Sequence, residues 1–537
     1  MVSRKKLFII LSILSLISLF ASGCGKSKEE ASNKNSSKTI NIAASSDSEM
    51  DTLDTLSDKG LMQAYPLIYD SLVEYGENGN IVSGLAESWN VSEDGKSYTF
   101  HLRKGVKFSD GTPCDAEAVK FSIERWANNE KLSWMKICKD IKKINVIDKD
   151  TIKLDFQSKY SLALTEFTYP RPIRIISPTA VEPAGDPKGK FVKPIGTGAW
   201  KVENYIKDKE TVLIKNDNYW GDKPKVDKLV IKVIADPQTR VLALQNGEVD
   251  LAGGQMSGIP IESLKVIKKN NDLKIFTNSG TTSYFLMFNN KNDIFKDCKI
   301  RKAINYAINK DEIANNLFDG TGKPAQGLFQ STVPYVTKDN NKGYKYNIQK
   351  AKELLNEAGW KDSNNDGILD KNGQALKIPL VLQVEEFPEW KSICEVIQAN
   401  LAQIGIKLDL KILEGSAYYD SIWKSKDYGL VIYRTYSDGW NPYFFLKDIF
   451  HSRQGETAIS YTTKELEKLI DSIAPMSNKE EIQKTYDKMF KIMYDEAVCV
   501  PIYYTNEIFV TNKTISGFEF GNTTYSPVIW EKLYKNK

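Results

Sequence analysis

Arg171 lies between Pro170 and Pro172 in the stretch YPRPIRIISP, residues 169–178. A proline on each side restricts the backbone there, and a planar guanidinium with five donors suits two-point capture of a carboxylate. Histidine is scarce, with only His101 and His451 in 537 residues. That excludes polyhistidine metal cages, the HExxH zinc motif and most histidine-relay hydrolases. No GxSxG occurs, and carboxylate pairs carry no signal among 69 Asp and Glu. With no nucleophile beside a base, the sequence does not read as an enzyme. Aromatics are plentiful (26 Tyr, 22 Phe, 10 Trp), which suits stacking on small ligands as well as core packing.

One loop has metal-ligand spacing. Asp362, Asn364, Asp366, Gly367 and Asp370 match positions 1, 3, 5, 6 and 9 of an EF-hand loop, but position 12 is Gly373 where a bidentate glutamate belongs. An Asx-rich turn closing a hairpin accounts for the same residues. The charge balance, 73 Lys+Arg against 69 Asp+Glu, leaves no basic footprint for nucleic acid.

These residues must be positioned by α/β elements. Residues 39–44 and 98–103 alternate as strands, 115–126 has helical spacing, and 142–156 reads as a hairpin turned at Asp148-Lys149-Asp150. Residues 226–234 form a strand followed by a helix from Pro237 to Gln245. The run 284–289 (YFLMFN) predicts another strand, and 300–308 a helix. In the last third, 376–384 predicts a strand, with Pro379 marking a sheet edge. The helix 389–404 stops at Gly405, and strands follow at 406–412 and 428–433. Alternation of this kind predicts α/β lobes with mixed sheets.

The N-terminus predicts export. Arg4-Lys5-Lys6 precede 14 largely apolar residues, Leu7 to Phe20, which as a helix span about 21 Å, short of the roughly 30 Å hydrocarbon core. Ala21-Ser22-Gly23-Cys24 follows. Basic, apolar and small-residue regions in that order form a signal peptide. The Ala-Ser-Gly-Cys box is similar to a bacterial lipoprotein signal, which implies that Cys24 becomes the lipid-modified first residue. Ala21 stands where leucine is commoner. Removal of residues 1–23 takes three positive charges from the formal +4, leaving about +1. Residues 24–38 then read as a flexible polar tether holding the protein at the extracytoplasmic face of the membrane. Five cysteines remain (114, 138, 298, 394, 499), with no CxxC and an odd count, so buried free thiols are as well supported as disulfides.

Several blocks carry a resemblance: GLAESW (84–89), SEDGKSYTF (92–100), LRKGVKFSDG (102–111), PIGTGAW (194–200), NYWG (218–221) and AKELLNEAGW (351–360). In this order, from about residue 40 to the C-terminus, the chain resembles the extracellular solute-binding proteins of ABC importers, the peptide/nickel family (family 5). The resemblance implies an α/β, two-lobed (three-domain) clamshell of the periplasmic-binding-protein type. Its partners would be permease and ATPase subunits, with the protein itself a monomer. Expected boundaries are 39–80 with 195–290 and 506–537 for the lobe I core, 81–194 for a lobe I subdomain, and 291–505 for lobe II.

Within the family the sequence is most similar to the nickel-binding branch, and this implies a set of site residues. Arg171 would hold ligand carboxylates. Trp134 and Met62 match ligand-packing positions, while Lys131 stands where that branch has a second arginine, keeping the charge without the fork. In residues 433–442 (YRTYSDGWNP), Tyr436 and Trp440 would wall the site. Arg434, the only basic group on that turn, suits either a second carboxylate or the buttressing of the strand end. His451 would be the single protein-derived metal ligand; His101 reads as a packed or surface histidine. One histidine cannot complete a Ni²⁺ shell. The expectation is therefore a Ni(II)-chelate complex as transported ligand, with a small carboxylate or amino-acid chelator and no prosthetic group. The alternative is a di- or oligopeptide receptor, whose branch carries an ammonium-pairing aspartate near an Asp-Pro; here the dipeptide is Asn441-Pro442, although Asp438 lies nearby.

Overall fold

The computed structural model describes residues 38–536 apart from 50–52, 55, 57–59, 128, 133–134, 319–320, 437–439 and 454. The expected signal peptide, Cys24 and all of the tether but Lys38, together with Trp134 and Asp438, lie outside the described residues.

Local signals explain the elements. Asp115 caps the helix Ala116–Trp126 by accepting the Ala118 N–H at 3.2 Å. Asp236 does the same for Pro237–Gln245, where Pro237 fills a first-turn position that needs no N–H. Trp390–Ala402 ends before Gly405, whose φ of 77° suits glycine. The predicted hairpin is Ile141–Asp148 paired antiparallel with Thr151–Phe156.

An eleven-stranded mixed sheet runs through the molecule. In spatial order its strands are Trp200–Ile206, Glu210–Lys215, Lys228–Val233, Thr39–Ala44, Leu251–Gly253, Cys499–Asn512, Leu273–Phe288, Leu430–Arg434, Lys377–Leu382 and Lys407–Ile412, with Lys323–Pro324 on the side of Cys499–Asn512. The two longest, Leu273–Phe288 and Cys499–Asn512, pair antiparallel along nearly their whole length and join the two halves of this sheet. Their register breaks between Ser279 and Ser283. A separate four-stranded antiparallel sheet holds Ala86–Val91, Ser97–Leu102, Thr151–Phe156 and Ile141–Asp148. His101 sits on it, with Nε2 3.1 Å from the Asn90 amide.

The expectation that Pro379 marks an edge is corrected. Lys377–Leu382 lies between two parallel neighbours. The Pro379 carbonyl accepts the Gly429 N–H at 3.1 Å, so its missing N–H faces the same side. Pairing on that side begins only at Leu380 opposite Leu430, and no ladder bond is lost.

The Asp362–Asp370 loop is a web of Asx turns. The Asp362 carboxylate accepts the N–H groups of Asp366 and Gly367, and Asp370 accepts that of Ser363. Asp370–Lys371 then pairs with Gln374–Ala375 as a short hairpin. All five described cysteines are free; four are buried. No helix of the described residues is long and apolar enough to cross a membrane.

Candidate functional site

The 169–178 segment divides its two arginines between opposite tasks. Ile173, Ile175 and Ile176 are fully buried, and Arg174 turns inward to pair with Glu74 and donate to the Thr168 and Pro170 carbonyls. That anchors the turn from which Arg171 projects, half-buried, through a cis bond to Pro172. The Arg171 guanidinium lies over the Tyr65 ring at 5.6 Å and donates to the Gly60 carbonyl at 3.1 Å. Half-buried Met62 belongs to the short turn Met62–Ala64 leading into the Tyr65–Ile68 helix. Arg171, Met62 and Tyr65 are therefore one cluster.

A second cluster forms at the end of Leu430–Arg434. Arg434 is 9% exposed and lies over Phe387 (5.4 Å) and Tyr436 (6.0 Å), with no hydrogen-bond partner for Nε or Nη1 among the described residues. Burial opposes its charge, but Tyr525, Tyr419, Tyr433 and Glu386 outweigh that and hold its pKa above the ordinary value. Tyr436 is buried, donates to Asp448 at 2.9 Å and meets Phe445 edge-on.

The C-terminal hairpin, Phe520–Thr523 with Ser526–Val528, connects the clusters. Gln63 donates to the Thr524 carbonyl at 3.2 Å, Tyr525 faces Arg434, and the Trp440 indole donates to the Asn522 carbonyl at 2.7 Å. This link has no motif; a buried glutamine, Gln63, in an apolar run was its one trace in the sequence.

A cavity of about 640 Å³ opens between residues 135–169 and 443–475, a size that holds a small ligand or chelate. Tyr169, two residues before Arg171, lines it, as do Asp448, the partner of Tyr436, and Met135. Glu166 lies in its wall, 3% exposed, accepting N–H bonds from Ile137 (2.6 Å) and Lys136 (3.1 Å); burial pushes it up to about 7. His451, just past the Pro442–Phe450 helix, reaches the wall through its neighbours. Its Nδ1 meets the Ser452 carbonyl at 2.6 Å, and its Nε2 is 2.9 Å from Asp471 and 3.1 Å from Lys447. The Ser452 carbonyl can only accept, so Nδ1 carries a proton, and Nε2 is already engaged by the Asp471 carboxylate and the Lys447 ammonium. Burial opposes ionisation of Asp471, yet Lys447 and His451 hold it below the usual carboxylate range.

Lys131 is exposed on the turn Glu130–Leu132 and is not drawn into either cluster. Asn441 caps the following helix, accepting from the Tyr443 N–H and the Tyr486 hydroxyl. Among the described residues no three His, Cys, Asp or Glu side chains converge as metal ligands. The arrangement offers cations and aromatic walls, which suits an anionic or carboxylate-bearing ligand.

Comparisons with known proteins agree with this architecture. A family model for bacterial extracellular solute-binding proteins, family 5 (Middle), matches residues 80–457. The nickel-binding periplasmic protein of Escherichia coli K12 is 32% identical across 88% of this chain and 89% of its own. The oligopeptide-binding protein AppA of Bacillus subtilis is 28% identical across 96% of both. The crystal structure of NikA from Brucella suis in complex with Fe(III)-EDTA matches with a TM-score of 0.84 at 28% identity, covering 93% of this chain and 100% of that one.

Proposed function

The chain belongs to the bacterial extracellular solute-binding proteins of family 5, and we propose that it captures nickel or a related divalent metal, already chelated by a small carboxylate ligand, for import. The observation that carries this reading is Arg434, a buried cation whose Nε and Nη1 have no partner among the described residues, at the edge of an aromatic cluster. Nε–H and Nη1–H point to different sides of the guanidinium, so each is a separate charged donor open to an anionic group of a ligand. The similarity to a nickel-binding relative, and to a structure holding Fe(III)-EDTA, supports a chelate as cargo.

Arg171 and Arg434 clamp the chelator's carboxylates, with Lys131 available as a further charge on closure. Trp134, Tyr436, Trp440 and Met62 pack its organic body. His451 supplies Nε2 to an open coordination position on exchanging its contacts with Asp471 and Lys447, its ring orientation fixed by Ser452. Closing the halves excludes water and strengthens each charge-assisted bond. The loaded protein, held at the extracytoplasmic face through a lipid on Cys24, delivers its cargo as a monomer to the permease and ATPase of an ABC importer.

Titration calorimetry of the soluble chain tests this. Ni²⁺ with histidine should bind and Ni²⁺ alone should not. His451→Ala should weaken the metal chelate about tenfold or more, as for loss of one ligand bond, and leave a metal-free chelator unaffected. Equal affinity of the variant for the metal chelate would remove His451 from the site. The AppA similarity supports a second reading, a peptide receptor, for which a dipeptide would bind whether or not metal is present.

A further inference from the structure

The register break in the two long strands has a cavity beside it. Ser279 stands opposite Asn506, and pairing resumes only at Ser283 opposite Tyr504. Strand alternation puts Thr282 and Tyr284 on one face of the first strand and Tyr503, Thr505 and Glu507 on one face of the second. All five line a cavity of about 70 Å³, which Glu386, Phe387 and Glu389 close from the loop before Trp390–Ala402. Gln255 completes it from the turn after Leu251–Gly253, in the other half of the sheet, and Thr524 from the C-terminal hairpin.

Its polar lining is an excess of acceptors. Glu386 accepts from the Tyr419 hydroxyl at 3.0 Å and has Arg434 nearby as countercharge. Glu389 accepts from the Tyr284 hydroxyl, with Arg240 nearby. The Glu507 carboxylate has neither a hydrogen bond nor an ion pair among the described residues. Thr282 is 4% exposed with Oγ1 unpartnered, and Gln255 Oε1 is buried and unpartnered. The cavity therefore holds one uncompensated carboxylate and two unused acceptors beside the rings of Phe387 and Tyr503. Among the described residues no three ligating side chains converge on a point, so the fit is to a cation carrying several N–H donors rather than to a bare metal ion. The aromatic rings add cation–π attraction.

We propose that this hinge cavity binds the primary ammonium group of a small organic monocation, with Glu507 as its countercharge and Thr282 and Gln255 as further acceptors. Because its walls come from both halves of the sheet and from the strands that join them, occupancy bridges the hinge. Burial pushes Glu507 up to about 7, and Glu386 and Glu389 upward as well. The Tyr284 and Tyr503 phenols are also raised and stay neutral, while Arg240 and Arg434 stay charged. An ammonium ion binds the ionised carboxylate, so it displaces a proton and binds more tightly at higher pH.

The test is titration of butylammonium into the soluble chain at pH 6 and pH 8, followed by calorimetry, with tetramethylammonium as the cation lacking N–H. The expected result is one saturable site, about tenfold tighter at pH 8, as one displaced proton requires. Glu507→Gln should weaken it about tenfold or more and Thr282→Val less, as befits a charge against a neutral acceptor. Tetramethylammonium should not compete. Absence of saturable binding, indifference to Glu507→Gln, or equal competition by tetramethylammonium would overturn the proposal. Melting curves and nickel-chelate binding of both variants, read in the same samples, show that they are folded and keep this test separate from the cargo assignment.

Discussion

The indole N–H of Trp440 donates to the Asn522 carbonyl at 2.7 Å, and the Asn522 amide donates to the Tyr75 carbonyl at 2.9 Å. Two parts of the chain far apart in sequence, around residues 75 and 440, are thus tied through the C-terminal hairpin. Gly79 makes the approach possible: a Cβ there would lie 2.6 Å from Trp440 Cβ, and its φ is 76°.

The tie predicts a graded effect on ligand capture. Trp440→Phe removes the donor and keeps the ring, and should weaken binding by about 1 kcal/mol. Gly79→Ala adds both a clash and a left-handed alanine, and should cost about 1–2 kcal/mol more. Titration of the chelate into each variant checks the order. An affinity unchanged by both would mean that Trp440 takes no part in closure.

Arg434 predicts a separation of stability from function. Burying a cation without full hydrogen bonding stabilises little, and an apolar residue of similar volume is often as good. Arg434→Met should leave the melting temperature of the ligand-free chain unchanged or higher, with Glu386 taking up a proton in compensation. Ligand affinity should fall by about 1.5–3 kcal/mol, the worth of hydrogen bonds to a charged group. A large loss of stability with normal affinity would make Arg434 a buttress of the strand end.

Glu166 predicts the pH dependence of stability. Its carboxyl ordinarily titrates near 4.5 and is raised to about 7 by burial. The folded state therefore favours the protonated form. The stabilising contribution is complete below about pH 4.5 and is lost as pH rises through 7, a change of up to about 3 kcal/mol. Glu166→Gln mimics the protonated carboxyl, so it should match the parent at pH 5 and exceed it in thermal stability at pH 8. A difference independent of pH would contradict the assignment.

The sequence revealed local structure well where one residue does one local job. Helical spacing marked 115–126 and the helix from Pro237, and the Asp148–Asp150 turn announced a hairpin. The YFLMFN run was legible as a strand, but only as the buried end of Leu273–Phe288, because its other end has an irregular, exposed pattern and carries the register break. Pro379 misled because an edge rule concerns the side a missing N–H faces, which depends on strand pairing rather than composition. At the candidate site, Arg171 stood out in the sequence by its flanking prolines. Glu166 and Glu507 were not, since their perturbation comes from burial by distant segments and no local pattern encodes it. The hairpin carrying Asn522 and Tyr525 was likewise invisible as part of the site, because backbone carbonyls make most of its contacts.

The most direct test of the cargo assignment is native mass spectrometry of the soluble chain, with Cys24 replaced, exposed in turn to Ni²⁺, Ni²⁺ with histidine, and a mixed dipeptide pool. The account predicts a mass increment of metal plus chelator that is absent with Ni²⁺ alone. A peptide increment that forms with or without metal, and no chelate increment, would contradict it.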